Sequence, residues 1–196
     1  MIDWFQPARG GKVVATFSGF EADLLRMLAQ QLVELLRNEM AEPRSNDPLE
    51  QLLDFSGPTS APEDPVLARF FPTAYPDDDE AAGEFRRFTE GTLRDGKARN
   101  AALVIDTLEE SGLPPELGNE SIVIDVELDR DATMGWMKSL TDMRLALATR
   151  LGVEEGDDDD WAGLDEEDPR FQAYQMYGWL GVLQETLVDA AARSGK

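Results

Sequence analysis

The sequence predicts a mainly helical protein with a small antiparallel β-sheet, of the α+β class, with its helical core built on the C-terminal helices. Apolar residues recur every three or four positions in at least four segments, which is the period of a helix with one buried face. Three short segments have strand patterns instead. We expect a single domain over residues 1–196, because this length supports one sizeable core.

The strands are expected at residues 2–5, 13–17 and 121–128. The first two flank a Gly-Gly turn in "WFQPARGGKVVATF", which is typical of a hairpin. The third, "SIVIDVELD", alternates apolar and polar residues, as in a half-buried strand. An isolated strand leaves its backbone groups unpaired, so the third strand should join the hairpin in one sheet.

The first two helices have recognisable N-termini. Ser18 and Glu21 match a capping box, and leucines at helical spacing continue from there to about residue 40. Farther along, Asp64 is placed to cap a short helix with Pro65 at its first position. Both helices are predicted from local side-chain chemistry alone.

A longer helical region is expected over residues 78–111, where the acidic run "PDDDE" at 76–80 favours the helix N-terminus. The interruption "RDGK" predicts a kink or break near Gly96, so two helices are as reasonable as one.

The two C-terminal helices follow. Asp131 is the expected cap of a helix that ends at Gly152. Asp168 and Pro169 should begin the last helix, which runs to about residue 193.

Two stretches, 43–65 and 153–168, are predicted to be surface connections. The second is strongly acidic, but it fails the calcium-loop template, because Pro169 falls where a bidentate Glu is required. Such a charge run is usually a solvated loop, with weak cation binding as the alternative.

The net charge of -22 argues against nucleic acid and anionic membranes as partners, since both are bound largely through Lys and Arg. No run of 18 apolar residues is present, and the N-terminal residues lack a signal-peptide pattern. We therefore expect a cytoplasmic protein without direct nucleic-acid or membrane binding.

The chain contains no Cys and no His. Thiol nucleophiles, disulfides, cysteine zinc sites, Ser-His-Asp triads and histidine metal ligands are thereby excluded. Carboxylates, Lys and Tyr remain, but no phosphate-binding or nucleophile-elbow motif accompanies them. We predict no catalytic residue, no cofactor and no metal ligand.

The segment "WMKSLTDMRLALATRLGV" at 136–153 places Arg144 inside the apolar stripe of its helix. A buried guanidinium needs a carboxylate or the carbonyls of a helix C-terminus, and we expect a structural ion pair with Glu185, or failing that with Glu84 or Glu90. Contact with an anion or a partner protein is the alternative role. Arg150, at the edge of the stripe, should lie at the surface and reach toward the acidic linker.

Four segments, "DPVLARFFPTAY", "EFRRFTE", "WMKSLTDMRLALATRLGV" and "YGWLGVLQETLV", together resemble an actinobacterial family named AosR-like oxidative-stress regulators. The resemblance spans most of the chain. It implies a cytoplasmic, non-enzymatic regulator that works through protein contacts in the transcription response to oxidants. In that family the gene tends to lie beside the gene of the protease adaptor ClpS, and redox sensing rests on a pair of cysteines, which this chain lacks.

Two classes of function follow. The first is a transcription regulator with a protein partner, a sigma factor or RNA polymerase, or in a variant a partner in Clp proteolysis; a homodimer is compatible with it. The second is a carboxylate-dependent hydrolase or metal-binding protein that uses the acidic clusters. The absence of Cys, His and any spaced motif favours the first.

Overall fold

The computed structural model describes residues 4–38, 57–118, 121–154 and 163–194. Most of the predicted connections 43–65 and 153–168 therefore lies outside the described residues. The described elements are, in chain order, β1 (Phe5–Pro7), a 3-10 turn (Arg9–Gly11), β2 (Val13–Ser18), α1 (Gly19–Asn38), α2 (Pro65–Phe70), α3 (Asp79–Glu110), β3 (Val123–Leu128), α4 (Arg130–Leu151) and α5 (Phe171–Ser194). This is the predicted mainly helical architecture with a small sheet.

The three strands form one antiparallel sheet in the order β1-β2-β3. Phe5 pairs with Ala15, and Val13 pairs with Leu128, so the third strand joins the hairpin as predicted. Ile124, Val126 and Leu128 are buried while the residues between them are exposed, which confirms the alternation. Residues 2 and 3 of the first predicted strand lie outside the described residues, and the described strand runs from Phe5 to Pro7. It includes a proline because an edge strand tolerates a residue without an N–H.

The predicted helix starts are confirmed for α1 and α2. The Ser18 backbone N–H donates to Glu21 Oε2 (2.8 Å), and the Glu21 N–H donates to Ser18 Oγ (3.3 Å), which is the reciprocal capping box. The carboxylate of Asp64 accepts the backbone N–H groups of Val66 and Leu67.

Two later helix starts differ from the prediction. Asp129, not Asp131, caps α4 by accepting the Ala132 N–H at 2.8 Å. The last helix begins at Phe171 because the Asp168 carboxylate accepts the Arg170 N–H at 2.8 Å and holds the preceding residues in a turn.

The expected break near Gly96 does not occur, and α3 is continuous over Asp79–Glu110. One glycine inside a helix costs about 1 kcal/mol, which the packing of α3 against α1 and α4 offsets.

The buried apolar side chains form a connected cluster that the sheet and four long helices share. Trp136 on α4 is fully buried, with ring centroids 5.9 Å from Phe5 and 6.2 Å from Phe17. The C-terminal helices α4 and α5 pack against each other, as predicted, and α5 also covers β1. The assignment of the whole chain to one domain stays a prediction. Among the described helices, none has the length and apolarity needed to cross a membrane.

Candidate protein-contact site

The segments 64–75 and 84–90 meet at one pocket. Phe70 and Phe71 at the end of α2 face Phe85 and Arg86 on the first half of α3 across a cavity of about 240 Å³. Helix α2 does not continue past Phe70, because Pro72 disfavours a helical conformation at the residue before it, so the chain turns there and runs along α3. We call this cavity, with its walls, the α2–α3 pocket.

Apolar side chains are exposed on and beside the α2–α3 pocket: Phe85 and Leu93 line the cavity, Tyr75 contacts Phe85, and Phe88 follows Phe85 by three residues on α3. Tyr75, Phe85, Phe88 and Leu93 are exposed to 48%, 45%, 55% and 51%. Tyr75 and Phe85 are in edge-to-face contact, with centroids 5.9 Å apart. The guanidinium of Arg87 lies 4.7 Å from the centroid of the Phe88 ring. Groups of exposed large apolar side chains occur where proteins bind other molecules.

A buried charge cluster forms the floor of the pocket. Glu90, 2% exposed, lies between Arg86 and Arg94, each 6% exposed, one helical turn away on either side. Arg86 Nη1 donates to Glu90 Oε2 (2.7 Å), and Arg94 Nε donates to Glu90 Oε1 (2.8 Å), with Arg94 Nη2 2.7 Å from the same oxygen in an ion pair. One carboxylate therefore neutralises part of the charge of two cations in a place that water hardly reaches.

The remaining donors of this cluster bind the ends of neighbouring helices. Arg86 Nη1 also donates to the carbonyl of Phe71 (3.0 Å), and Arg94 Nη1 donates to the carbonyl of Leu36 near the end of α1 (3.3 Å). These carbonyls belong to helix ends, which carry partial negative charge and lack intrahelical donors. The cluster thus fixes α1 and α2 against α3 and holds the pocket walls in place.

A third cation, Lys97 on α3, joins the pocket wall to α4. Lys97 lies 4.7 Å from the Phe70 ring centroid and donates to Asp142 Oδ1 at 2.6 Å. Burial raises the pKa of the Asp142 carboxyl above its usual value, although the hydrogen bond from Lys97 opposes that rise. Phe70 is therefore held between the core and a charged pair.

The start of α3, beside the pocket, is acidic. Asp78 caps α3 by accepting the Ala81 N–H at 3.0 Å, and Asp79 and Glu80 occupy the first turn of the helix. This confirms that the acidic run favours the helix start.

Arg150 is exposed, as predicted, and its carboxylate partner is Asp64. Burial by itself would raise the pKa of Asp64, but the hydrogen bond from Arg150 and the N–H groups of Leu67 and Val66 lower it below its usual value. One carboxylate thereby caps α2 and joins it to the end of α4.

Arg144 lies half-buried between α4 and α5. Its Nη1 donates to Gln184 Oε1 (2.8 Å), and its guanidinium carbon lies 5.1 Å from the Tyr177 ring centroid. The structure thus gives Arg144 a neutral amide as partner where the sequence predicted the adjacent Glu185, which is exposed. An ion pair of Arg144 with Glu185 stays a prediction. Glu90, a further candidate partner, forms its ion pairs with Arg86 and Arg94 on α3.

Sequence reasoning missed the role of Arg86 and Arg94. Their spacing of four residues on either side of Glu90 was the available signal, but the same spacing is common on solvated helix faces. Within the part of the chain that the structure describes, no group of three or more acidic side chains is arranged to hold a metal ion.

Comparison with known proteins gives a family for the chain. A family model described as a domain of unknown function, DUF2017, matches residues 1–191. The AosR protein of Mycobacterium leprae is 29% identical over 202 residues, covering 94% of this chain and 85% of its own length. The oxidative stress regulators AosR of Mycobacterium bovis and Mycobacterium tuberculosis are 29% identical over 193 residues, 91% of this chain and 82% of theirs. No solved structure matches the chain.

Proposed function

The chain belongs to the DUF2017 family, and on that premise we propose that it is a non-enzymatic regulator of the transcription response to oxidants. It acts in the cytoplasm through protein–protein contacts, and its partner is a sigma factor or RNA polymerase. The names of the mycobacterial relatives support the regulatory role in oxidative stress. Because the chain has no Cys, the regulation does not pass through a disulfide of its own.

The α2–α3 pocket and the apolar side chains beside it are the proposed contact surface, and the exposure of these side chains is the observation that supports it. Tyr75, Phe85, Phe88 and Leu93 each leave about half of their surface in water, although all four lie within one stretch of 19 residues. Burying aromatic and leucine side chains against a partner releases this surface from water and supplies the largest share of interface energy.

The floor of the pocket makes the surface ready to bind. The hydrogen bonds from Arg86 and Arg94 to Glu90 and to the helix-end carbonyls keep the walls in one arrangement before any partner arrives. A preformed surface loses less conformational entropy on binding than a mobile one. The partner segment that fits presents an aromatic or aliphatic side chain to the pocket and has Lys or Arg on either side of it. The basic residues are expected because the acidic first turn of α3 lies beside the pocket.

The test uses three strains of the organism that encodes the chain: a deletion, a Phe85→Ser/Phe88→Ser double variant, and a Val123→Ser control. Val123 is 64% exposed but lies on β3, outside the pocket. After peroxide treatment we expect the transcript profile of the double variant to match the deletion and that of the control to match the wild type. A normal profile in the double variant, with equal protein levels, contradicts the proposal.

The same strains separate the alternatives. If transcripts stay normal while degradation of ClpS-dependent substrates is disturbed, the chain is a partner in Clp proteolysis. A carboxylate-dependent hydrolase or metal-binding protein would instead depend on an added divalent cation, and the two serine substitutions, which remove no carboxylate, would leave it unaffected.

A further inference from the structure

The second surface of interest is the groove between α4 and α5 around Arg144, with a volume of about 510 Å³. Arg144 contacts the Gln184 amide, the Tyr177 ring and the backbone around Gly181, and among the described residues it forms no ion pair. Its Nε is buried and has no hydrogen-bond acceptor. A partly buried cation without a counter-charge is unfavourable, so a carboxylate brought from outside would be bound here.

The outer wall of the same groove has the opposite character. Glu185 and Asp189 are exposed on α5, and neither carboxylate takes part in an ion pair among the described residues. Between and beside them, Val182 and Val188 are exposed to 37% and 47%. An occupant of the groove must therefore bring a carboxylate for Arg144, a cation for Glu185, and an apolar surface for the valines.

We propose that this occupant is a second copy of the chain, in a symmetric dimer formed by the α4–α5 groove. In an interface with a twofold axis, residue i of one subunit contacts residue j of the other, and j contacts i. Arg144 of each copy then pairs with Glu185 of the other, and the exposed valines of the two α5 helices meet at the axis. The groove carries both charges that it needs from its partner, which is why a second copy fits.

The close approach that such a dimer requires is available at the centre of the groove. Gly178 on α5 is exposed and has open space around its missing side chain. A helix from the second copy can approach the backbone there.

The net charge of -22 on each copy opposes association over long distances, but at physiological salt charges are screened beyond about 8 Å. The short-range pairs in the groove are screened much less. This inference is independent of the function proposed for the α2–α3 pocket.

The test is sedimentation equilibrium at physiological salt, on the whole chain and on Arg144→Glu, Glu185→Arg and the control Asp106→Arg. Asp106 is an exposed carboxylate on α3 that does not line the groove. We expect the wild type and the control to move from the monomer mass of 21.8 kDa to twice that mass as concentration rises. Each groove variant should dimerise at least about 100-fold more weakly, because like charges then face each other twice.

Mixing the two groove variants distinguishes a contact between copies from one within a chain. In the mixed dimer, the carboxylate introduced at position 144 of one copy faces the guanidinium introduced at position 185 of the other, and the unchanged Arg144 and Glu185 form the second pair. An equimolar mixture should therefore form a one-to-one dimer although neither variant does so alone. Any one of three results would overturn the proposal: the wild type stays monomeric, the groove variants dimerise like the wild type, or the mixture stays monomeric. Glu185 is exposed, so its substitution leaves folding intact, and circular dichroism checks this for both variants.

Discussion

Replacing Glu90 by glutamine removes the carboxylate that Arg86 and Arg94 share while keeping the shape of the side chain. Glu90 is 2% exposed, and its two oxygens accept hydrogen bonds from both guanidinium groups at 2.7 to 2.8 Å. The amide keeps one acceptor, but the two buried cations then face each other without a counter-charge. Removing one partner of a buried ion pair costs about 3–5 kcal/mol.

We expect Glu90→Gln to lower the free energy of unfolding by about 3 kcal/mol, the lower end of this range, because each arginine keeps a backbone carbonyl as acceptor. For a chain of this size that corresponds to a fall in Tm of about 6–12 °C. Chemical denaturation gives the free energy of unfolding, and calorimetry gives the Tm.

The matched control is Glu84→Gln on the same helix. Glu84 has a side chain that is 68% exposed, and it lies 4.0 Å from Arg87, so this change should stay within about 0.5 kcal/mol. If Glu90→Gln also costs less than about 1 kcal/mol, the cluster is not a desolvated ion network. The argument that it holds the walls of the α2–α3 pocket would then fail.

Three further predictions concern other parts of the chain. Because the folded state lowers the pKa of Asp64, the ionised carboxylate stabilises the fold above a pH of about 4, and this stabilisation is lost below it. In denaturation at pH 7 the wild type should be more stable than Asp64→Asn by up to about 1 kcal/mol, and this difference should shrink on acidification. Gly57→Ala should destabilise the fold by about 1–3 kcal/mol, since the added Cβ would lie 2.3 Å from the Arg87 carbonyl oxygen. Gly91→Ala, which adds a methyl group into open space inside α3, should stabilise the fold by up to about 1 kcal/mol, and equal effects of the two changes would contradict this. At physiological salt the chain should show no affinity for random duplex DNA in fluorescence anisotropy, and micromolar binding would refute the expectation drawn from its charge of -22.

Local chemistry made much of the fold predictable. The capping box of Ser18 and Glu21, the Asp64 cap and the alternation in β3 depend on residues close together in sequence, and each has the predicted structure. The start of α4 was misplaced because aspartates stand at both 129 and 131, and only the backbone decides which carboxylate reaches the free N–H groups. The start of α5 was misplaced because Asp168 holds a turn that precedes the helix.

The candidate sites were harder to predict because they depend on how helices rotate against each other. The pattern of α3 around Glu90 resembles a solvated charged face, and only the ends of α1 and α2 packed over it show that it is buried. For Arg144, the helical wheel identified the right face of α4. Gln184 and Glu185 point about 100° apart around the axis of α5, but the sequence does not give the rotation of α5 relative to α4, which decides that Gln184 is the one to meet Arg144.

The most direct test of the proposed function measures binding of the purified chain to RNA polymerase holoenzyme and to separate sigma factors of the same organism, by biolayer interferometry at physiological salt. We expect saturable binding that weakens at least about 30-fold in the Phe85→Ser/Phe88→Ser variant and is unchanged in Val123→Ser. Binding should also weaken as salt rises, because basic residues of the partner face the acidic end of α3. Absence of binding to every one of these proteins, or equal binding by the double variant and the wild type, would contradict the account.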